Sequence, residues 1–444
     1  MGWDKMTWRG KSYLRFLAFI ALLFLLIIFL YQFMSALPVN SHTEYAYVPN
    51  GRGDNLSIIN TTTNQVEYSV DVGDDPEGVA ITPDGKKVYV TNSYLNTVSV
   101  IDTATNKVIA RVPVGRNPVG IAVSLPDGKS VFVANEYTNN VSVIDTATDK
   151  VKYCLDVQTN PLGVAVAPDG KKVYVANLGS GTVSVIDTTI CSVLEPINVG
   201  PSPYGVAVSK NGNVYVTHSD SNKISVIDTN KKNVSVEEIY MGNATESMEL
   251  SPLGVVVSPD GKYVYVANHK RRIQGTSDTP RGIVSVINTT TNSVTANVTV
   301  DKCPCGISIN GNGTKVYAVN SESNTVSVID TINNTEIANV PVGSMPSALG
   351  QFIGSPPQVP EHNAIREFIS SIIESIYGIY NRANEAINGV QGYILGILTF
   401  FSKKIFSLFD KILSDSISPI ITEKLEPIVR KRLDPLLNKI FKKK

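Results

Sequence analysis

The sequence predicts an all-β fold, a seven-bladed propeller of four-stranded blades, because one strand pattern recurs seven times at nearly constant spacing. The recurring block has the form V-Y-V, and successive copies begin 42, 43, 42, 41, 50 and 52 positions apart. The copies are Ala46–Val48, Val88–Val90, Val131–Val133, Val173–Val175, Val214–Val216, Val264–Val266 and Val316–Ala318. No helical period appears between them, which argues against alternating strands and helices.

Three further strand-like segments follow the V-Y-V block, and the second copy shows them clearly. They are TVSVIDT at Thr97–Thr103, IARVPV at Ile109–Val114 and GIAVS at Gly120–Ser124. Alternating apolar and polar residues that are rich in Val and Ile are typical of strands. Pro-Asp-Gly sequences such as Pro83–Gly85 predict tight turns between them, and an Asp such as Asp102 is expected to cap the next hairpin.

The two ends of the repeat region complement each other. A proline precedes the fourth type of strand in every unit, and the last of these prolines, Pro346, is followed by Ala348–Ile353 without a further unit. The first unit starts directly at its V-Y-V strand, with no innermost strand before it. We therefore expect Ala348–Ile353 to be the innermost strand of a blade whose other three strands come from residues 45–73, which would leave no free sheet edge at the seam.

Units such as Val88–Ser124, which begins VYVTNSYLNTVSVIDT, resemble the YVTN-type β-propeller repeat. The resemblance covers residues 45–354 and implies a surface-layer or secreted protein of archaea or bacteria; it implies a fold more firmly than a function. His218 replaces the strand-ending Asn in the fifth unit, which departs from the pattern. Some related propellers hold copper or haem through histidines. With only four histidines in this chain, no cofactor is expected.

The N-terminal region predicts export. Residues 16–34, from Phe16 to Met34, form an apolar stretch long enough to cross a membrane as a helix. Lys and Arg residues precede it and none follows until Arg52, so residues 1–15 are expected in the cytoplasm and everything after a linker at 35–44 outside. A cleaved secretory signal is the alternative to an uncleaved anchor.

The C-terminal region predicts helices. A Pro-rich linker at residues 355–362 precedes an amphipathic helical tail at 363–444, whose apolar stripe needs lipid, the propeller or another copy of the chain as a partner. Residues 387–401 are a candidate second membrane span, and the cationic last stretch suits anionic lipid headgroups. A self-associating bundle, and hence a homo-oligomer, is the alternative.

Two insertions predict a binding rim. They occupy Met241–Ser251 and His269–Gly282, in connections that flank one blade and leave it on the same face, opposite the Pro-Asp-Gly hairpins. Long loops on a rigid scaffold commonly carry binding residues. The candidate rim residues, suited to an anionic ligand, a surface glycan or a protein partner, are His269, Lys270, Arg271, Arg272, Arg281, Glu246 and Glu249. Alternatively, the two loops pair with each other or extend into solvent.

A second candidate is a polar ring formed by the residue that ends each V-Y-V strand. Its members are Asn50, Asn92, Asn135, Asn177, His218, Asn268 and Asn320. They could line a pocket near the central channel. The competing hypothesis is that each amide hydrogen-bonds the backbone of its own blade, because Asn tolerates turns and competes for main-chain groups.

Composition and the motifs present narrow the classes of function that this chain can have. The formal net charge of zero gives no basic footprint for nucleic acid. The one-residue spacing of Cys303 and Cys305 does not suit a metal or redox pair, and the four cysteines leave three disulfide pairings open. Catalytic motifs are missing. We expect a membrane-anchored, extracytoplasmic binding, scaffold or envelope protein that is not an enzyme; a lactonase-like hydrolase or lyase and an electron-transfer accessory are the alternatives.

Overall fold

A computed structural model describes residues 43–229, 235–241, 250–270 and 280–355 of the chain. These residues fall in one compact unit, His42–Pro357. The predicted membrane segment at 16–34 and the predicted helical tail at 363–444 lie outside the described residues. Within the ranges above, no helix has the length and apolar character needed to span a bilayer.

The described residues form seven antiparallel sheets, which are the predicted blades. Blade 1 contains β1 (Tyr45–Asn50), β2 (Asn55–Asn60) and β3 (Gln65–Asp71), with a single turn of 3-10 helix at Gly51–Gly53. Blade 2 contains β4 (Pro76–Ile81), β5 (Lys87–Asn92), β6 (Thr97–Asp102) and β7 (Lys107–Pro113). Blade 3 contains β8 (Pro118–Val123), β9 (Ser130–Asn135), β10 (Asn140–Asp145) and β11 (Lys150–Asp156).

The remaining blades repeat this order. Blade 4 contains β12 (Pro161–Val166), β13 (Lys172–Asn177), β14 (Thr182–Asp187), β15 (Ser192–Val193) and β16 (Ile197–Asn198). Blade 5 contains β17 (Pro203–Val208), β18 (Asn213–His218), β19 (Lys223–Asp228) and β20 (Ser235–Tyr240). Blade 6 contains β21 (Leu250–Val257), β22 (Tyr263–Lys270), β23 (Arg281–Asn288) and β24 (Ser293–Lys302). Blade 7 contains β25 (Pro304–Ile309), β26 (Lys315–Asn320), β27 (Thr325–Asp330) and β28 (Thr335–Pro341), and β29 (Ile353–Gly354) closes the ring.

Strand register defines two faces. In blade 2 Pro76, Asn92, Thr97 and Pro113 lie opposite one another across the sheet, so the hairpin from β5 to β6 and the exit from β7 share one edge. We call this edge of the ring the insertion face. The Pro83–Gly85 hairpin lies at the other edge, which we call the terminal face.

The predicted turn chemistry is confirmed. Asp84 Oδ1 accepts the Lys86 N–H at 3.1 Å, and Gly85 adopts a φ of 70°, which glycine tolerates at no steric cost. Asp102 Oδ1 accepts the Thr105 N–H at 2.8 Å and caps the next hairpin. Blade 4 differs from the prediction, because its outer strand is split into β15 and β16 around Pro196, which has no N–H to donate to the ladder.

The seam closes as predicted but with a shorter strand. Only Ile353–Gly354 pairs regularly with Tyr45–Ala46, in place of the expected Ala348–Ile353. The Tyr47 N–H donates to Phe352 O at 2.9 Å and the Ser347 N–H to Pro49 O at 2.9 Å, so the chain follows β1 at both ends. Between these contacts it bends toward the axis, where Leu349 bridges to Gly78 of blade 2 and Gly350 adopts a φ of 142°.

The core consists of apolar layers between neighbouring blades. One layer joins Tyr89 and Val98 of blade 2 to Ile121 and Val131 of blade 3, and all four side chains are buried. Each blade therefore buries both of its faces against its neighbours, and the ring is continuous across the seam, where Tyr47 packs in one cluster with residues of blades 7 and 2.

Candidate functional site

The end of the first insertion and the start of the second lie side by side on the insertion face. Strands β21 and β22 extend two residues farther than their counterparts in other blades, and they pair Leu250 with Lys270 and Ser251 with His269. Glu246, Glu249, Arg271 and Arg272 of the proposed rim lie outside the described residues. Lys270 and His269 are partly exposed at the base of this extension.

Arg281, also predicted for the rim, makes contacts within the ring. Its Nη2 lies 3.1 Å from Glu336 Oε2 in blade 7, and its Nε donates to Val300 O at 3.0 Å. Since the guanidinium is tied to two neighbouring strands, Arg281 positions blade 6 against blade 7. It is therefore less available to an external anion than the sequence suggested.

The seven residues of the predicted polar ring are completely buried on the second strand of their blades. In the six asparagines, Nδ2 donates to a serine Oγ of the adjacent strand at 2.9–3.0 Å. The pairs are Asn50–Ser57, Asn92–Ser99, Asn135–Ser142, Asn177–Ser184, Asn268–Ser285 and Asn320–Ser327. In these six blades the amide therefore links the second strand to the third. The bonds lie within one blade, as the competing hypothesis predicted, but the partner is a side chain and not the backbone.

His218 takes the same place in blade 5. Its Nε2 lies 2.8 Å from Ser225 Oγ and its Nδ1 lies 2.7 Å from Pro201 O. A carbonyl oxygen can only accept, so Nδ1 carries the proton and Nε2 accepts from the serine in the neutral ring. Burial lowers the pKa of His218 and favours this neutral form.

A contact between inner strands surrounds the axis. In six blades the glycine two residues after the proline approaches a carbonyl oxygen of the next blade so closely that a Cβ would lie 2.0–2.8 Å from it, and Gly350, four residues after Pro346, makes the same approach at the seam. The pairs are Gly78–Val119, Gly120–Leu162, Gly163–Tyr204, Gly205–Leu253, Gly254–Cys305, Gly306–Ala348 and, at the seam, Gly350–Val79. Only glycine permits this approach, because an added Cβ would overlap the backbone.

Threonine reinforces the contact in two blades. Thr91 Oγ1 accepts the Gly78 N–H at 2.8 Å and donates to Val119 O at 2.9 Å, which links blade 2 to blade 3. Thr217 joins Gly205 to Leu253 O in the same way. The Thr that precedes the last residue of the V-Y-V strand, Thr91 in blade 2 and Thr217 in blade 5, is thus a buried bridge between blades.

The residue between proline and glycine stands near the start of the inner strand, at the edge of the blade that belongs to the insertion face. Val119 and Leu162 form an apolar cluster there with Leu349 of the closing segment, and Tyr204 packs against it. Glu77 occupies the corresponding position in blade 2, and its backbone oxygen accepts the Leu349 N–H at 3.3 Å. We call these five residues the axial cluster.

One member of the axial cluster, Glu77, carries a partly buried carboxyl. Burial, followed by the negative charges of Asp75 and Glu136, raises the pKa of Glu77 to about 7. Burial and the neighbouring Cys305 and Glu77 raise the pKa of Tyr204 above its usual value. Sequence reasoning missed this cluster, although the recurrent Pro-x-Gly, in which Glu77 is the one charged x residue, could have indicated it.

All four cysteines are free within the described ranges. Burial raises the pKa of Cys305 to about 12, so its thiol stays protonated at neutral pH. No group of three or more His, Cys, Asp or Glu residues in the described part of the chain is arranged to hold a metal ion.

The YNCE-like beta-propeller family matches residues 122–214, which run from blade 3 into blade 5. The chain is a β-propeller repeat protein. No curated protein matches its sequence.

Solved structures of similar fold share little sequence with this propeller. Hydrazine synthase of Kuenenia stuttgartiensis is 24% identical, with a TM-score of 0.55 over 62% of this chain and 88% of that one. A candidate 6-phosphogluconolactonase from Bacteroides fragilis is 16% identical, with a TM-score of 0.57 over 71% and 99%. A functionally unknown protein from Desulfotomaculum acetoxidans is 18% identical, with a TM-score of 0.56 over 70% and 98%. At these identities the likeness concerns the fold alone.

Proposed function

We propose that this propeller is a binding or scaffold protein outside the cell membrane, tethered through its terminal face and presenting its insertion face to partners. The observation that carries the proposal is the position of the two chain ends. Tyr45 pairs with Gly354, and both lie at the end of β1 that is remote from Asn50 and the insertion face.

Contacts of Glu44 support the same placement. Its Oε1 accepts the Gly311 N–H at 2.7 Å and its backbone oxygen accepts the Thr61 N–H at 3.1 Å, and both donors belong to hairpins of the terminal face. The predicted anchor at 16–34 precedes this point, and the predicted helices at 363–444 follow Gly354 after a short linker. Two tethers on one face leave the opposite face, with both insertions, available for binding.

Site-directed labelling tests the orientation. Exposed Cys154 and Cys191 are first replaced by serine, and one cysteine is then introduced at Leu95 on the insertion face or at Asn312 on the terminal face. In intact cells a membrane-impermeant maleimide should label Leu95→Cys without permeabilisation. In vesicles that contain nitroxide-labelled lipid, a fluorophore at Asn312→Cys should be quenched more strongly than one at Leu95→Cys. Labelling only after permeabilisation, or stronger quenching at Leu95, would overturn the proposal.

A second candidate function is a propeller hydrolase or lyase. The observation that favours it is Glu77, a carboxyl with a pKa of about 7 beside the phenol of Tyr204, which suits general acid–base chemistry. Hydrolysis of six-carbon sugar lactones by the full-length protein, lost in Glu77→Gln and kept in Glu322→Gln, would support this candidate. Equal rates with and without protein would exclude it for that substrate class.

A further inference from the structure

The hairpin between the first two strands of blade 7 differs from its counterparts. In blades 2, 3, 4 and 6 this hairpin reads Pro-Asp-Gly-Lys, as at Pro83–Lys86, whereas in blade 7 the same four positions are Gly311, Asn312, Gly313 and Thr314. The changes from Asp to Asn and from Lys to Thr together create Asn-Gly-Thr, an acceptor sequence for N-glycosylation. The hairpin lies on the terminal face, and Asn312 is exposed there.

The Asn312 side chain stabilises this turn through its oxygen. Its Oδ1 accepts the Thr314 N–H at 3.1 Å and the Thr314 hydroxyl at 2.6 Å. In blade 2, Asp84 Oδ1 accepts the Lys86 N–H in the same way, and Asp84 Oδ2 lies 3.3 Å from Lys86 Nζ. In blade 7 an amide nitrogen replaces that second oxygen, and it makes none of the bonds that hold the turn. The turn therefore leaves the Nδ2 of an exposed asparagine free for modification.

The other acceptor sequences are less suited to modification in the folded protein. The chain has nine in all, and two of them lie outside the described residues. The Nδ2 atoms of Asn55 and Asn60 donate to other residues of blade 1, at 2.9 and 2.8 Å, and Asn60 is buried. Ser142, which completes the acceptor sequence at Asn140, is completely buried, so its hydroxyl is out of reach of an enzyme.

Three further acceptor sequences belong to blades 6 and 7. Asn288 and Asn297 lie within β23 and β24 and pair with residues of the adjacent strand, so an enzyme could bind these segments only by opening the sheet. Asn333 is exposed, but its Nδ2 donates to Asp330 Oδ1 at 3.2 Å. Among the described acceptor sequences, the one at Asn312 alone combines an exposed turn with an amide nitrogen that is not used in the fold.

We propose that Asn312 carries an N-linked oligosaccharide on the terminal face of the propeller. The glycosyl donor is a lipid-linked oligosaccharide. Its anomeric carbon forms a bond to Asn312 Nδ2, the bond from that carbon to the lipid phosphate breaks, and a proton leaves the nitrogen. This inference rests on the proposed function, which places the propeller outside the cell membrane with its terminal face toward the membrane that holds the donor. A bulky polar glycan suits an exposed turn of this kind.

A single tryptic peptide reports on the modification. Trypsin cleaves after Lys302 and Lys315, and the peptide 303–315 between them contains Asn312 as its one acceptor asparagine. The full-length protein is purified from the membranes of its native cells, digested and analysed by mass spectrometry with a fragmentation method that preserves glycosidic bonds. The peptide should be heavier by the mass of an oligosaccharide, and the fragments should place the added mass on Asn312.

Three variants produced in the same cells test the acceptor sequence itself. Thr314→Val removes the hydroxyl but keeps Asn312 and the shape of the side chain, so the added mass should be lost from peptide 303–315. Thr314→Ser keeps the hydroxyl and should keep the added mass. Asn297→Gln, the matched change at another exposed acceptor sequence, should leave this peptide as in wild type. An unmodified peptide in wild type, or an added mass that persists in Thr314→Val, would overturn the proposal.

Maleimide labelling of Leu95→Cys in the same cells separates this proposal from the proposed function. An unmodified peptide together with labelling of intact cells would show that the propeller is exported and that only the glycan is wrong. An unmodified peptide together with labelling only after permeabilisation would overturn both.

Discussion

The contact between inner strands makes Gly120→Ala the most informative single substitution. A Cβ at this position would lie 2.0 Å from Leu162 O and 3.2 Å from the Gly163 Cα. Both atoms belong to backbone, so no side-chain rotation relieves the overlap. Ordinary contact begins at 3.4 Å, and two strands at the axis must therefore separate by more than an ångström.

Such a displacement is costly because inner strands are packed on both sides. Overpacking of this kind costs typically 1–3 kcal/mol, and the backbone position of this overlap places Gly120→Ala at about 3 kcal/mol. For a propeller of this size a loss of about 3 kcal/mol corresponds to a fall in Tm of roughly 6 °C. Calorimetry and circular dichroism of the full-length protein measure this fall.

Gly261→Ala is the matched control. Gly261 lies in a terminal-face turn with a φ of 75°, and nothing lies within 4 Å of the added Cβ. Its cost is that of placing alanine in a left-handed conformation, about 1 kcal/mol. If Gly120→Ala unfolds at the wild-type Tm, or loses no more than Gly261→Ala, the inner strands do not touch as described.

Three other substitutions test the remaining contacts by thermal unfolding. His218→Asn should stay within about 1 kcal/mol of wild type because six blades use asparagine there, whereas His218→Ala should lose about 2 kcal/mol by removing the bonds to Ser225 and to Pro201; equal Tm values for the two variants would contradict this role. Thr217→Val should cost about 1–3 kcal/mol through the lost bridge between Gly205 and Leu253, and Thr217→Ser should restore most of it. Leu349→Ala should cost about 2–4 kcal/mol and speed exchange of the Tyr47 amide, so unchanged exchange would show that the axial cluster does not hold the seam.

The sequence predicted the blades because their determinants are local. Alternation of Val and Ser sets the strands, and turns such as Pro83–Gly85 fix their ends through one side-chain hydrogen bond and one left-handed glycine. Ring closure was also predictable, because the first unit has no inner strand before it and an additional strand-like segment follows Pro346 at the end of the repeat region. The shorter pairing was not, because it depends on Leu349 reaching residues of blades 3 and 4 across the axis.

The axial cluster lay beyond sequence reasoning for a similar reason. The Pro-x-Gly pattern is visible in six units, but the meeting of the x residues requires the ring to be closed. The same holds for the polar ring. A regular repeat of Asn with Ser seven residues later could have suggested paired side chains, and only the register of the second and third strands shows that they meet.

In a repeat protein, a residue that differs from its counterparts in the other units has either a structural or a functional reason. Contacts within the scaffold explain some of these residues and not others. His218 departs in identity but preserves the bond to the serine of the adjacent strand, so the scaffold accounts for it. Arg281 departs too, and its contacts with Glu336 and Val300 account for it. Glu77 is different, because burial and two acidic neighbours raise the pKa of its carboxyl. An ionisable side chain whose pKa is strongly shifted by its surroundings is a candidate for a functional role. Glu77 and the insertion-bearing edge of blade 6 should therefore be tested before any regular position of the ring.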